Sequence, residues 1–104
     1  MADENTSDIR EIRRNPDEDR YEAELSDGEL AVLDYRIEGE RILFTHTGTP
    51  PEHRHKGIAG KLTRYALDDA IERNLKIAPY CPYTAWFVGR NPEYRSHLAE
   101  GFGR

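Results

Sequence analysis

The sequence predicts an α+β domain: an antiparallel meander of about four strands, then a helix, a parallel fifth strand and a short helix. Two observations predict it. Residues 9–47 break into short stretches of alternating apolar and polar residues separated by turn residues. From residue 56 the apolar spacing becomes helical, and it leads into a short apolar run and a second helical stretch.

Residues 9–14 form the first expected strand, closed by the turn signal Asn15-Pro16-Asp17-Glu18. Tyr21, Ala23 and Leu25 alternate with Glu22 and Glu24, the period of a half-buried strand. Ser26-Asp27-Gly28-Glu29 turns the chain into a third strand, 30–37, with Leu33, Tyr35 and Ile37 on one face. After Glu38-Gly39-Glu40 comes a fourth strand, 41–47, in which Ile42, Phe44 and His46 are expected to share a face. Thr47 to Glu52 reads as a loop. Residues 56–74 then read as a helix with a stripe of Ile58, Leu62, Tyr65, Ala66 and Ala70, widened by Leu67 and Ile71. Residues 76–80 are the fifth strand, parallel to the fourth because a helix links the two. A shorter helix at 84–89 ends near Asn91-Pro92. Residues 8–98 thus read as one domain, with a polar, disordered segment at 1–7 and a tail at 99–104.

A chain of 104 residues with 37% hydrophobic and 34% charged residues can bury one thin core. Six Tyr, three Phe and one Trp argue for order. Tyr80, Tyr83, Trp86 and Phe87 are most simply core packing. A second copy or a ligand can complete such a core, so a monomer or weak dimer is expected. The net charge of −5 argues against non-specific binding to nucleic acid or an anionic membrane. Cys81 is the single cysteine, so no internal disulfide can form, which suits a reducing cytoplasm. The His spacing suggests no metal site.

One segment departs from the acidic average. Residues 53–64 hold Arg54, Lys56, Lys61 and Arg64 and no acid; with these four charges set aside, the net of −5 becomes −9. A helix start already carries partial positive charge, so cations there are unfavourable unless an anion joins them. Gly57 and Gly60 let backbone N–H groups approach such an anion closely. These residues fit a pyrophosphate cradle, and they also fit a solvated helix start with ordinary surface charge. The segment is neither a P-loop nor a G-x-G-x-x-G motif.

Arg54-His55-Lys56-Gly57-Ile58-Ala59 resembles the Q/R-x-x-G-x-G/A signature of the GCN5-related N-acetyltransferases (GNAT). A subfamily of very small members is similar in two further places: a His-Thr element ahead of that signature, and a P-x-C-P-(F/Y) element followed by Pro-Glu-Tyr. Here these are His46-Thr47-Gly48-Thr49-Pro50, Pro79-Tyr80-Cys81-Pro82-Tyr83 and Asn91-Pro92-Glu93-Tyr94. The resemblance covers roughly residues 9–98. It implies a GNAT-like fold, acetyl-CoA as cofactor and an amine as acceptor, which is unidentified and either a small molecule or a protein. It implies that Arg54, His55, Lys56, Gly57, Ile58, Ala59, Gly60 and Lys61 surround the coenzyme A pyrophosphate, and that Thr47 and Gly48 bind pantetheine between splayed fourth and fifth strands. Asn91 and Tyr94 complete the implied cofactor set. Asn91 stands where many small members have His, and Thr49 where they often have Val.

Cys81 sits at a strand end, pinned by Pro79 and Pro82. If the fourth and fifth strands are neighbours, His46 can approach it and accept its proton, the thiolate being the nucleophile. The resemblance implies the same pair, Cys81 and His46, as catalytic. The residues also allow plainer roles: free cysteine is often a small buried hydrophobe, and a histidine can simply line a polar pocket. His46 can equally be the base that deprotonates the amine in direct transfer. The acidic strands are a solvated face or an attractor of a cationic amine. Three functions therefore stand: an acetyl-CoA-dependent N-acetyltransferase, a coenzyme A-binding or acyl-carrying module, and an interaction domain for another phosphate compound.

Overall fold

The computed structural model describes residues 8–102. The disordered segment expected at 1–7 lies outside them. The elements run β1 (Ile9–Asn15), β2 (Arg20–Leu25), β3 (Leu30–Glu38), β4 (Arg41–Gly48), α1 (Ile58–Glu72), β5 (Lys76–Pro79) and α2 (Pro82–Arg90). Short 3-10 turns occupy Pro51–His53 and Pro92–His97. The five strands form one sheet in sequence order, antiparallel from β1 to β4 and parallel between β4 and β5. No described helix is long and apolar enough to cross a membrane.

α1 lies across one face of the sheet. Its Ile58, Leu62, Ala66 and Ala70 are buried against Tyr21, Leu33 and Phe44 from β2, β3 and β4. Full burial of one Leu or Phe side chain contributes about 1.5–3 kcal/mol, so this stripe is the main apolar stabilisation of a small domain. Tyr65, expected in the stripe, is 40% exposed and turns its ring edge towards Tyr21 at 6.2 Å. Asp69 of the same helix accepts a 2.6 Å hydrogen bond from the buried Tyr21 hydroxyl.

Three expectations are corrected by packing. The alternation that put His46 on the face of Ile42 and Phe44 is broken by a bulge. Tyr35 pairs with Phe44 but Asp34 pairs with His46, leaving Thr45 unmatched on β3. An extra residue in one strand inverts the facing of everything beyond it. Thr47, opposite the buried Leu33, therefore faces the α1 side, and His46 faces away. Of the aromatic group expected in the core only Phe87 is buried; Tyr80 and Trp86 are more than half exposed. Ile37 is also exposed, at the far end of β3. The tail is structured where the sequence carries little signal: Ala99 N–H donates to Ile77 O at 2.7 Å, and the Phe102 ring lies 5.2 Å from Tyr80. It covers the free edge of β5.

Glu22 is the fold's least expected residue, a carboxylate only 2% exposed on β2. Arg13 and Asn15 on β1 and Arg20 on β2 donate to its two oxygens at 3.0, 2.9 and 2.7 Å. Burial alone pushes this carboxyl up, but the hydrogen bonds from Asn15 and Arg20 and the two positive charges outweigh it, and the group titrates below its ordinary value. A depressed carboxyl adds stability that is present above its unfolded pKa and lost as pH falls through its folded pKa. Urea midpoints of the wild type and Glu22→Gln should therefore differ most at neutral pH and converge in acid. A gap that stays constant down to pH 3 would show that Glu22 acts by shape rather than charge.

Candidate active site

The site begins where β4 and β5 part. They pair only from Arg41 with Lys76 to Phe44 with Pro79. The last link is the Cys81 N–H, which donates to Phe44 O at 2.8 Å. β4 continues to Gly48 with β3 on one side only, so its other edge carries no strand partner among the described residues. That edge opens onto a cleft of about 590 Å³, lined by His46–Thr49 backbone and side chains, by His53 to His55, by Gly57 to Ala59, and by Tyr83 of α2. Such a volume suits a mid-sized ligand.

The start of α1 forms the floor. Gly57 is its N-cap with φ 77°, a left-handed conformation that glycine adopts without strain. His55 is also left-handed, at φ 67°, where a side chain carries a cost. No side chain caps the helix and its first turn has no acidic residue. Its first N–H groups consequently have no intrahelical acceptors and point outward. Backbone that alternates into the left-handed region before a bare helix start makes a concavity for anions.

The charges around this floor divide. Lys56 Nζ pairs with Asp8 at 3.1 Å, and Arg64 pairs with Glu93 at 3.3 Å. Among the described residues Arg54 and Lys61 have no ion pair and both are exposed. Asn91 and Tyr94 do not line the cleft. Arg64 donates to Asn91 Oδ1 at 2.8 Å and to the Tyr94 hydroxyl at 3.1 Å, while that hydroxyl donates to Asp68 at 2.8 Å. Burial, and then the Asp68 carboxylate, push the Tyr94 hydroxyl up to about 12. Both residues thus tie the segment after α2 to α1. Gly60 faces inward too: a Cβ there would lie 3.5 Å from the Tyr83 hydroxyl and 3.9 Å from Phe87, so its small size brings α1 and α2 together.

His46 lines the cleft and its Nε2 would sit 3.4 Å from a Cβ on Gly48. Cys81 lies behind, 4% exposed, with Thr47 Oγ1 3.1 Å from its sulfur. Thr47 lines the cleft and touches the thiol, so it is the side chain that links the two. The expected His46–Cys81 approach is replaced by this contact, because the Thr45 bulge turns His46 to the other face. Burial pushes the Cys81 thiol up. Donation from the Thr47 hydroxyl and from groups of Thr84 and Tyr83 at the start of α2 overcomes this and holds it below the ordinary thiol value.

Sequence reasoning missed three wall residues, Thr49 beside the expected Gly48, Tyr83 and His53. Tyr83, assigned to the core, lines the cleft, and burial raises its hydroxyl. His53 is 5% exposed, with Nε2 2.8 Å from Asp27 Oδ2. That hydrogen bond holds the Asp27 carboxyl below its usual range and anchors the loop ahead of α1 to the β2–β3 turn. Position 53 next to the signature was the only available signal, and it did not distinguish wall from surface.

A sheet whose parallel strands part over an uncapped helix start defines the GNAT fold class. The family model for the GCN5-related N-acetyl-transferase matches residues 20–98. The chain belongs to that family. It is similar to Protein NATD1 of Gallus gallus, 41% identical over 71 residues that cover 65% of this chain and 64% of that protein. With Protein NATD1 of Homo sapiens it shares 41% identity over 63 residues, 60% of this chain and 56% of the other. The chain thus spans less than two thirds of the length of these curated relatives. A GCN5-like protein from Staphylococcus aureus, solved by NMR, superposes with a TM-score of 0.68 at 25% identity, covering 89% of this chain and 90% of that one.

The Gly60 contacts give a test of the helix–helix approach. Gly60→Ala meets Tyr83 at an ordinary contact distance and gains helix propensity, so it should raise stability by about 0.5–1 kcal/mol in urea titration. Gly60→Leu must displace Tyr83 and Phe87 and should cost about 1–3 kcal/mol.

Proposed function

We propose that this chain is an N-acetyltransferase that uses acetyl-CoA and an amine acceptor. The observation that carries the reading is the unpaired edge of β4 opening onto the same cleft as the bare, basic start of α1. An extended amide-bearing ligand can extend that edge through Thr47 and Gly48, with its anionic end on the helix start. The residues fit this group: the first-turn N–H groups from Gly57 to Gly60, with Arg54, His55, Lys56 and Lys61 around them, suit a pyrophosphate. Arg54 and Lys61 bring charge that no acid among the described residues has paired. Asn91 and Tyr94 enter through Arg64, which they fix on α1.

Acetyl-CoA supplies an activated thioester carbonyl. In this reading His46, on the outward face of β4, takes the proton of the incoming amine, and the cleft wall at Thr47 and Tyr83 orients the reacting end. Cys81, behind Thr47, gives a second reading, a coenzyme A-binding or acyl-carrying module. Its favouring observation is the thiol held below its ordinary value at a helix start. Native mass spectrometry after incubation with acetyl-CoA separates the two: a stable acetyl adduct on Cys81 without transfer to amines supports the carrier. A free thiol at that position suits a reducing compartment such as the cytoplasm.

Two measurements test the cofactor assignment. Acetyl-CoA at a hundred times its Kd should stabilise the native state by about 2.7 kcal/mol, a rise in Tm of roughly 10–20 °C for a domain of this size. Gly57→Glu puts bulk and negative charge at the cradle and should remove most of that rise; a folded variant that still responds fully would place the pyrophosphate elsewhere. Affinity measured by calorimetry should also fall as salt rises, since screening shortens to about 8 Å at physiological ionic strength. Salt-independent binding would assign the affinity to backbone and pantetheine contacts instead of Arg54 and Lys61.

A further inference from the structure

Thr84 has a hydroxyl with no partner. The residue is 0% exposed, and its Oγ1 makes no hydrogen bond among the described residues. Buried hydroxyls are normally paired, and a threonine in a helix has a ready acceptor in the carbonyl one turn back. Thr84 declines that option. It is the third residue of α2, and Cys81 is the N-cap of the same helix. At that spacing an N-cap side chain and the third helical residue face each other.

We infer that Thr84 is a positioning residue for Cys81: its hydroxyl is kept out of other bonds so that it donates to the sulfur once the thiol has given up its proton. The sulfur then lies between two hydroxyls, Thr84 from its own helix and Thr47 from β4 at 3.1 Å. The open N–H groups of Tyr83 and Thr84 complete the surround, and the helix start favours negative charge there. The thiol's depressed titration agrees, since Thr84 is among its causes after burial and Thr47. The other groups around the sulfur do not supply this. Tyr80 and Tyr83 flank it in its own segment, His46 of β4 faces away, and α1 presents Gly60 to α2 at Tyr83, with Arg64 over the Phe87 ring at 5.3 Å. The use of a thiolate beside the cleft rests on the acetyl-CoA reading above; the Thr84–sulfur interaction does not.

The test is the pH profile of Cys81 alkylation by iodoacetamide, followed by mass spectrometry on the free protein. The wild-type midpoint should lie below the ordinary thiol value of about 8.5. Thr84→Val keeps the shape and removes the donor, so the midpoint should rise, with alkylation at neutral pH falling about tenfold for each unit of rise. Thr84→Ser should restore the wild-type profile. Thr63→Val is the control: Thr63 is equally buried with an unpartnered hydroxyl, but it sits on α1, and the profile should not change. Removing an unpaired buried hydroxyl does not require loss of stability, and should Thr84→Val fail to fold, Thr84→Ala carries the same comparison. A wild-type midpoint at the ordinary value, or Thr84 variants that fold and titrate like the wild type, overturns the inference. Acetyl-CoA thermal shifts on the same proteins keep the two readings apart. A wild type that ignores acetyl-CoA sinks the cofactor assignment and leaves the thiol titration intact. A variant with normal cofactor response and a raised thiol midpoint supports Thr84 as proposed.

Discussion

One hydrogen bond sets the geometry of everything around the cleft. The Cys81 N–H to Phe44 O contact at 2.8 Å is the last tie between β4 and β5. Beyond it β4 goes on for four residues and the β5 segment leaves for α2. Pro82 enforces the departure, because proline has no N–H for a ladder and suits the first position of a helix. Two consequences come from that single parting. The far half of β4 gains a free edge, and Cys81 becomes the N-cap of α2. The cleft and the place of the sulfur at a helix start are thus products of one strand ending early, and the Thr45 bulge supplies the residue that joins them.

The second constraint is electrostatic. A chain with a net charge of −5 keeps four cations in one twelve-residue segment. Folding neutralises two of them with Asp8 and Glu93 and leaves Arg54 and Lys61 at the uncapped start of α1. Each feature raises the positive potential, and none is compensated by an acid in the first helical turn. An arrangement that costs stability in the free protein is one that a bound anion relieves. The remaining acids are used elsewhere. Glu22 joins β1 to β2 through Arg13 and Asn15, and Asp68 and Asp69 tie α1 to Tyr94 and Tyr21.

Local chemistry and the order of strand pairing were legible, and register within a pair was not. Turn residues and alternation give the strands within a residue or two, and the switch to helical spacing finds α1, because each signal lives within a few neighbouring positions. The helix starts at Ile58, not at the expected residue 56, because Gly57 takes a left-handed φ as its N-cap. The Thr45 bulge leaves no local trace, since Ile42, Phe44 and His46 alternate in sequence whether or not a residue is skipped on the partner strand. It appears only when Asp34 and Tyr35 are paired. Glu22 looks like a solvent residue because Arg13 and Asn15 come into register with it only across β1 and β2, and Arg20, two residues away on its own strand, reads as an ordinary surface neighbour. Asn91 and Tyr94 are distant in sequence from Arg64 and Asp68, and motif position alone could not separate a ligand contact from a helix tie.

The bulge has a mechanistic consequence. Had β4 stayed regular, His46 and Thr47 would have exchanged faces, with the imidazole towards the sulfur. With the extra residue, the imidazole and the thiol stand on opposite sides of β4, and a hydroxyl takes the place of a base beside the sulfur. A hydroxyl does not carry the proton away. It stabilises the charge left behind, as do the N–H groups at the start of α2. The sulfur titrates below its ordinary value without a histidine beside it, and in the proposed reading His46 faces a different reactant. A proton acceptor on one side and a stabilised sulfur on the other would act on different groups, and the Thr47 side chain touches both the cleft and the thiol. That makes Thr47 the position where a change in sulfur chemistry and a change in ligand binding should be felt together, while His46 and Thr84 each report on one.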